Sequence, residues 1–366
     1  MKFALDAFPG GWRAAQRKGD STAIRAAVDR SVELARIADR AGIESIWTPE
    51  DPDGWDAFAV LAAMARVTER VRLGTGVTNP YYRHPSLIAA SVSTLDLLSD
   101  GRAFLGVGRG QPEWYEQALG MRVGKPSRAL VETIDLLRQW WSPDMRATSP
   151  DDATEYHVTG WERMIRPLQP HLPIYLAAVG PIALRIAGRH ADGVIFNDLA
   201  SLDFMRDAIV TVREAAREAG RDLEALTFYA RAAVTITDNP EVLYDRRKAT
   251  VATIHALPGM ERLLQSDRFD TERIIADVRA AMRTGEILAS GGGFPDLRRG
   301  GDLEAAKRAI PDDLMAELVV AGTVAQVRDK LAAMAEIGVT HAFLAAQGPA
   351  VTVDSLAALL DDLAGT

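Results

Sequence analysis

The feature that most narrows what this chain can fold into is a rhythm. Short apolar or β-branched runs alternate with amphipathic helical stretches along most of the sequence. The runs fall at residues 3–8, 45–49, 71–78, 103–108, 174–178, 193–197, 227–236 and 341–346, and most are bounded by Gly, Pro, Asn or Asp. Strands covered on both faces read as continuous apolar runs, and strands that alternate with helices pair in parallel through right-handed crossovers. Helices are expected at 23–40, 58–68, 87–98, 128–140, 181–189, 202–218 and 324–337. In the first of these, Ile24, Val28, Leu34, Ile37 and Ala38 fall near one face.

Eight such units close a (β/α)8 TIM barrel, and 366 residues suit one barrel domain, 1–366, with insertions. Two interruptions, 141–173 and 244–311, are expected as excursions from it. The first holds the hairpin-like Tyr156-His157-Val158. The second carries helical segments and Ser290-Gly291-Gly292-Gly293-Phe294-Pro295, which reads either as a lid or as a solvated loop. A doubly wound sheet is the main competitor, but its dinucleotide fingerprint is missing. The cluster Gly106-Val107-Gly108-Arg109-Gly110-Gln111 has Gln111 at the third fingerprint position and follows the fourth strand rather than the first.

Composition removes several chemistries. The chain has no cysteine, which excludes disulfides, thiolate nucleophiles and cysteine-ligated metals, and suits a reducing compartment. A net charge of −8 without a basic, aromatic-studded stripe argues against nucleic acid. The start, Met1-Lys2-Phe3-Ala4-Leu5-Asp6, meets an acid at once and is not read as a signal peptide. No apolar run is long enough to span a membrane. These features lead to the expectation of a cytoplasmic protein. No serine-hydrolase elbow, zinc motif or P-loop occurs, and the six histidines are scattered, so no metal site is expected.

The most specific stretch is Leu73-Gly74-Thr75-Gly76-Val77-Thr78-Asn79-Pro80-Tyr81-Tyr82-Arg83-His84-Pro85. It is followed by Ser93-Thr94-Leu95-Asp96-Leu97-Leu98-Ser99-Asp100-Gly101-Arg102 and by Phe104-Leu105-Gly106-Val107-Gly108-Arg109-Gly110. With Pro173-Ile174-Tyr175-Leu176-Ala177-Ala178-Val179-Gly180-Pro181, Ala191-Asp192-Gly193-Val194-Ile195 and the C-terminal Ala321-Gly322-Thr323-Val324 and Gly338-Val339-Thr340-His341, it resembles the luciferase-like superfamily. Within that superfamily the chain is similar to the branch containing methylene-tetrahydromethanopterin reductase. The resemblance spans nearly the whole chain except about 244–311.

This resemblance implies a barrel oxidoreductase that moves hydride to or from the deazaflavin coenzyme F-420 and an organic small molecule. The cofactor carries that chemistry, and the protein orients it. The resemblance also implies a homodimer. It places the ring over the ends of strands three and four, in contact with Gly76, Val77 and Thr78, where a non-prolyl cis peptide, Gly76–Val77, would form a bulge. From the residues themselves, Gly108 and Gly110 would let backbone amides approach a ring edge or ribityl chain and Arg109 would reach a phosphate or carboxylate, with a tight strand-to-helix turn as the other reading; Asn197, after strand six, is a further cofactor contact. Ala178, Val179 and Gly180 would receive the coenzyme phosphate, since free amides at a helix start bind phosphate well. Asp6, Glu50 and Gln111 are the polar candidates near the reacting carbon. Asp6 stands where the resembled reductase has an acid, and a pocket there would raise its pKa.

The departures from the family pattern are specific. Relatives carry an Asp-His pair after strand two where this chain has Pro49-Glu50, and often an acid where it has Gln111. An amide is no general acid at neutral pH. Phe196-Asn197-Asp198 lacks the lysine of a sugar-phosphate dehydrogenase, so glucose 6-phosphate is not expected as substrate. Two alternatives stand beside the leading reading: an FMN-dependent two-component monooxygenase and a non-catalytic flavin-binding relative.

Overall fold

The computed structural model describes residues 1–8, 16–50, 54–111, 115–116, 119–345 and 351–364. Among them, eight parallel strands form a closed ring. They are β1 Lys2–Asp6, β2 Ser45–Thr48, β3 Arg72–Thr75, β4 Ala103–Val107, β5 Ile174–Ala177, β6 Gly193–Phe196, β7 Thr227–Ile236 and β8 His341–Leu344. Each pairs with the next, and β8 returns to β1 through Phe3 opposite Ala342 and Ala4 opposite Phe343. The expected TIM barrel is therefore the fold. The third strand is shorter than its apolar run, because the backbone leaves the ladder after Thr75. Thr78 then bridges back to Val107.

The helices α1 Ser21–Ala41, α2 Ala57–Ala65, α3 Pro85–Leu98, α4 Pro126–Trp140, α5 Pro181–His190, α6 Leu202–Glu218 and α7 Val324–Glu336 occupy the expected stretches, and α8 Val353–Leu363 follows β8. Their starts are encoded locally. Asp20, Asp56, Ser201 and Thr323 each accept a hydrogen bond from an amide in the first turn of the helix that follows. Gly42, at φ 93, ends α1 in the left-handed conformation.

Two apolar layers follow from a strand's alternation. Outward-facing residues such as Leu5, Ile46, Leu73, Leu105 and Val194 pack under the helices in the large core. Inside the ring, Ala4, Trp47, Phe104, Tyr175, Ile195, Tyr229 and Phe343 form a second cluster. Trp47 is its hub, with ring centroids 4.4 Å from Phe104, 4.8 Å from Tyr229 and 5.6 Å from Tyr175. This plug fills the barrel below its mouth, as inward side chains do in this fold.

The first excursion contains an antiparallel ribbon, Arg146–Ala147 with Trp161–Glu162, and Ser149 extends it by bonding to Val158 and Tyr156. The second is helical and buries an apolar cluster of its own, including Val251, Leu264, Val278, Met282, Leu314 and Leu318. No sequence signal pointed to that separate cluster. Met260 packs against both it and the barrel core.

Candidate active site

A cavity of about 1050 Å³ opens at the C-terminal ends of the strands, the end where this fold places its chemistry. Its wall brings together Gly76, Val77 and Thr78 after β3, Gly108, Arg109, Gly110 and Gln111 after β4, and Ala178, Val179 and Gly180 after β5. Asn197 after β6 and Glu50 after β2 join them. These segments are separated by tens of residues in the chain, and barrel closure is what unites them. Asp6 is the one sequence candidate that does not line the cavity itself; it reaches the wall through a partner described below.

Glycine is needed at several of these points for close approach. A Cβ on Gly106 would lie 2.0 Å from the Thr75 carbonyl oxygen and 2.9 Å from Trp47. One on Gly108 would lie 3.0 Å from Val77. The Gly76–Val77 peptide is cis. At the other side of the mouth, Gly180 starts α5 with no side-chain cap, Pro181 takes the first turn, and the space where a Gly180 Cβ would point is open. Uncapped amides facing a cavity form a ready anion site.

Glu50 differs from the sequence expectation of a reactive acid. Its side chain is fully buried, and Arg83 grips it with Nη2 2.7 Å from Oε1 and with Nε donating to both oxygens at 2.8 and 2.9 Å. Thr78 Oγ1 donates to Oε2 at 2.5 Å. With both oxygens occupied, Glu50 acts as a clamp that fixes Thr78 to the wall. Arg83 also reaches Asp56 at 2.8 Å and so ties the clamp to the start of α2. Burial pushes the Asp56 carboxyl up, but the bonds from Arg83 and from the Phe58 and Ala59 amides outweigh it and hold the group below the usual range.

The residue that sequence reasoning missed is Arg231, in the middle of β7. Its Nη2 donates to Asp6 Oδ1 at 2.9 Å and to the Gly76 carbonyl oxygen at 3.0 Å, and Arg231 itself lines the cavity. Nothing in the chain around Arg231 marks it. Asp6 sits deep in the barrel mouth with about 30% of its side chain accessible. Protein surrounds the carboxyl on most sides, and this burial pushes its pKa above the usual carboxylate range; Arg231 opposes the shift and the charge of Asp198 adds to it. Gln111 lies on the wall as an amide, with Tyr115 nearby donating its amide to the Gln111 carbonyl at 3.4 Å.

The second excursion supplies part of the cavity wall. Pro258, Gly259, Met260 and Arg262 line it, and so do Gly291, Gly293, Asp296 and Arg298 from the Gly-rich stretch and the helix it opens. That stretch is therefore part of the cavity wall and not a remote loop.

The cavity is walled by glycines and small residues from the strand ends, by apolar side chains such as Leu130, Ile182 and Ile186, and by the polar groups of Thr78, Arg109, Asn197 and Arg231, above the aromatic plug. The chain belongs to the luciferase-like monooxygenase family, whose pattern matches residues 7–341. A Mycobacterium tuberculosis protein named as a coenzyme F-420-dependent oxidoreductase is 30% identical over 348 residues, covering 90% of this chain and 93% of that one. The 5,10-methylenetetrahydromethanopterin reductase of Methanopyrus kandleri is 28% identical over 325 residues, with 84% and 86% coverage. The solved structure of the coenzyme F-420-dependent tetrahydromethanopterin reductase of that organism has the same fold, with a TM-score of 0.72, 23% identity and coverage of 99% and 98%.

Proposed function

We propose that the protein is an oxidoreductase that binds the deazaflavin coenzyme F-420 in the barrel mouth and transfers hydride between it and an organic small molecule. The observation that carries this reading is the convergence of Gly76–Thr78, Gly108–Gly110 and Ala178–Gly180 on one cavity of about 1050 Å³. That volume is at the upper end of the range for ligand sites and leaves room for a tricyclic ring beside a reactant. The relatives named for F-420 support the choice of coenzyme.

When bound, the coenzyme supplies a ring carbon that accepts or gives hydride. The protein's part is placement and electrostatics. The Val179 and Gly180 amides would hold the phosphate, with the α5 dipole behind them. Gly76, Val77 and Thr78 would support the ring, and the Glu50–Arg83 clamp keeps Thr78 in place. Arg109 and Asn197 are further polar contacts. Asp6 is the group of this mouth that holds a proton, and Gln111 orients the reactant through its amide.

The protein works in the cytoplasm as a homodimer in this reading. Support for the dimer is an apolar patch on the barrel flank: Leu87 and Leu97 of α3 beside Trp161, Met164, Ile165 and Leu168, with Met164 96% exposed. Arg163 and Leu168 tie the segment 161–168 of the first excursion to α3 by bonds of 2.9 Å to Ser86 and 2.7 Å to Asp96. Exposed patches of this kind mark interaction surfaces. Among the described residues no helix is long and apolar enough to cross a membrane.

The test is to load the purified protein with F-420 and follow loss of its visible absorbance against a panel of secondary alcohols and other hydride donors. Turnover with at least one donor, and reduced coenzyme that is stable in air, are expected. No turnover with F-420, together with rapid reaction of the protein loaded with reduced FMN with oxygen, would instead make the protein an FMN-type monooxygenase.

A further inference from the structure

The charge on the cavity floor comes from a defect in β7. Ala230 and Val234 face Ala342 and Leu344, so β7 takes four steps where β8 takes two, and Ala233 adopts a φ of 48. Bulges of this sort re-aim a side chain and cluster near active sites. Here the irregular stretch begins at Arg231. The guanidinium crosses the mouth to Asp6 of β1 and to the Gly76 carbonyl next to β3, with Cζ 5.2 Å from the centre of the Phe343 ring. Three elements therefore fix it. Arg109, Arg262, Asp296 and Arg298 line the same cavity from other segments, Asp198 acts on Asp6, and the charge of Glu50 is paired with Arg83; of these groups only Arg231 bonds the Gly76 carbonyl and Asp6 together among the described residues.

We infer that Arg231 faces the coenzyme ring and stabilises its reduced, anionic form over its oxidised form. This rests on the reading that the cavity binds F-420. A donor of the alcohol type loses hydride from carbon and a proton from oxygen and becomes a carbonyl compound. The proton leaves to solvent, and the hydride's electron pair forms the new C–H bond on the ring, which gains one unit of negative charge. A cation already held in place meets that charge without reorganising. Asp6 is the anchor and counter-charge: burial of its carboxyl, which favours the neutral form, lessens how much of the Arg231 charge is cancelled.

The experiment is an anaerobic titration of oxidised and of reduced F-420 into the wild type, Arg231→Gln, Arg231→Lys and Asp6→Asn, at acid and alkaline pH. Arg231→Gln is expected to lower the preference for the reduced form at least tenfold, which is a fall of about 30 mV in the bound two-electron potential. Arg231→Lys is expected to restore most of it. Asp6→Asn is expected to raise the preference, most at alkaline pH. An unchanged ratio in Arg231→Gln overturns the inference, and so does an equal loss of affinity for both forms. Should that variant fail to fold, Asp6→Asn decides: an unchanged or lower preference at both pH values overturns it. A wild type that binds neither form would instead defeat the coenzyme reading itself.

Discussion

Arg83 and Glu50 form a buried pair at the barrel mouth, with Nη2 2.7 Å from Oε1 and the Glu50 side chain fully removed from solvent. Breaking such a pair from one side strands a charge in a dry setting, at a cost of about 3–5 kcal/mol. Arg83→Met is therefore expected to lower the unfolding free energy by about that amount, read by chemical denaturation. A loss below about 1 kcal/mol would mean that the pair is solvated in solution.

Two glycines of the mouth are expected to respond in opposite ways to the same small change. Gly106→Ala drives a methyl to 2.0 Å from the Thr75 carbonyl oxygen, a backbone atom that cannot yield without parting β3 from β4. Its cost is expected at about 3 kcal/mol or more. Gly180→Ala meets nothing within 4 Å and keeps an ordinary φ of −79, so stability should stay within about 0.5 kcal/mol. Thermal unfolding of both variants measures the contrast.

Acid should weaken the fold through buried histidines. Burial pulls the His341 imidazole down to about 4, with Glu44 opposing the shift, and burial also lowers His255. Between about 6.5 and 4 the unfolded chain binds the proton that folded His341 refuses, so this contribution is complete above 6.5 and is lost as pH falls through that window. The size is roughly 3 kcal/mol for His341. Asp6, whose carboxyl is raised, acts with the opposite sign. His341→Phe keeps a ring beside Tyr229, whose centroid is 4.2 Å away. It is expected to lose less stability than the wild type between neutral pH and pH of about 4.5, as denaturant titrations at the two pH values would show. Equal losses in both proteins would remove His341 as the cause.

Much of the scaffold was legible because a parallel barrel strand is buried on both sides and must be apolar throughout. The run at 227–236 coincides with β7, Thr227–Ile236. The loops that meet at the cavity were legible through their glycines, which the close packing of Gly106 and Gly108 requires. Charge networks were not legible. Arg231 pairs with Asp6 across 225 positions and with Gly76 across 155, and no local pattern encodes such partners. The pairing of Glu50, named from the sequence only as a polar candidate near the reacting carbon, was not legible because Arg83 lies 33 positions on. The separate apolar cluster of the second excursion escaped notice because its helices are short, such as Tyr244–Thr250 and Leu303–Arg308, and their periodicity is brief.

Val179→Asp tests where the phosphate sits. A carboxylate at the uncapped start of α5 would face the phosphate at short range, and repulsion near a protein surface is on the order of a few kcal/mol. Affinity for F-420 is expected to fall at least tenfold, measured by fluorescence titration, while thermal stability stays close to the wild type. Full affinity in this variant would move the phosphate elsewhere.

The most direct test of the account is a comparison of the dissociation constants of F-420 and FMN for the purified protein. F-420 is expected to bind in the micromolar range or tighter, about −8 kcal/mol, and at least tenfold more tightly than FMN. FMN binding more tightly than F-420, or no binding of either, would contradict it.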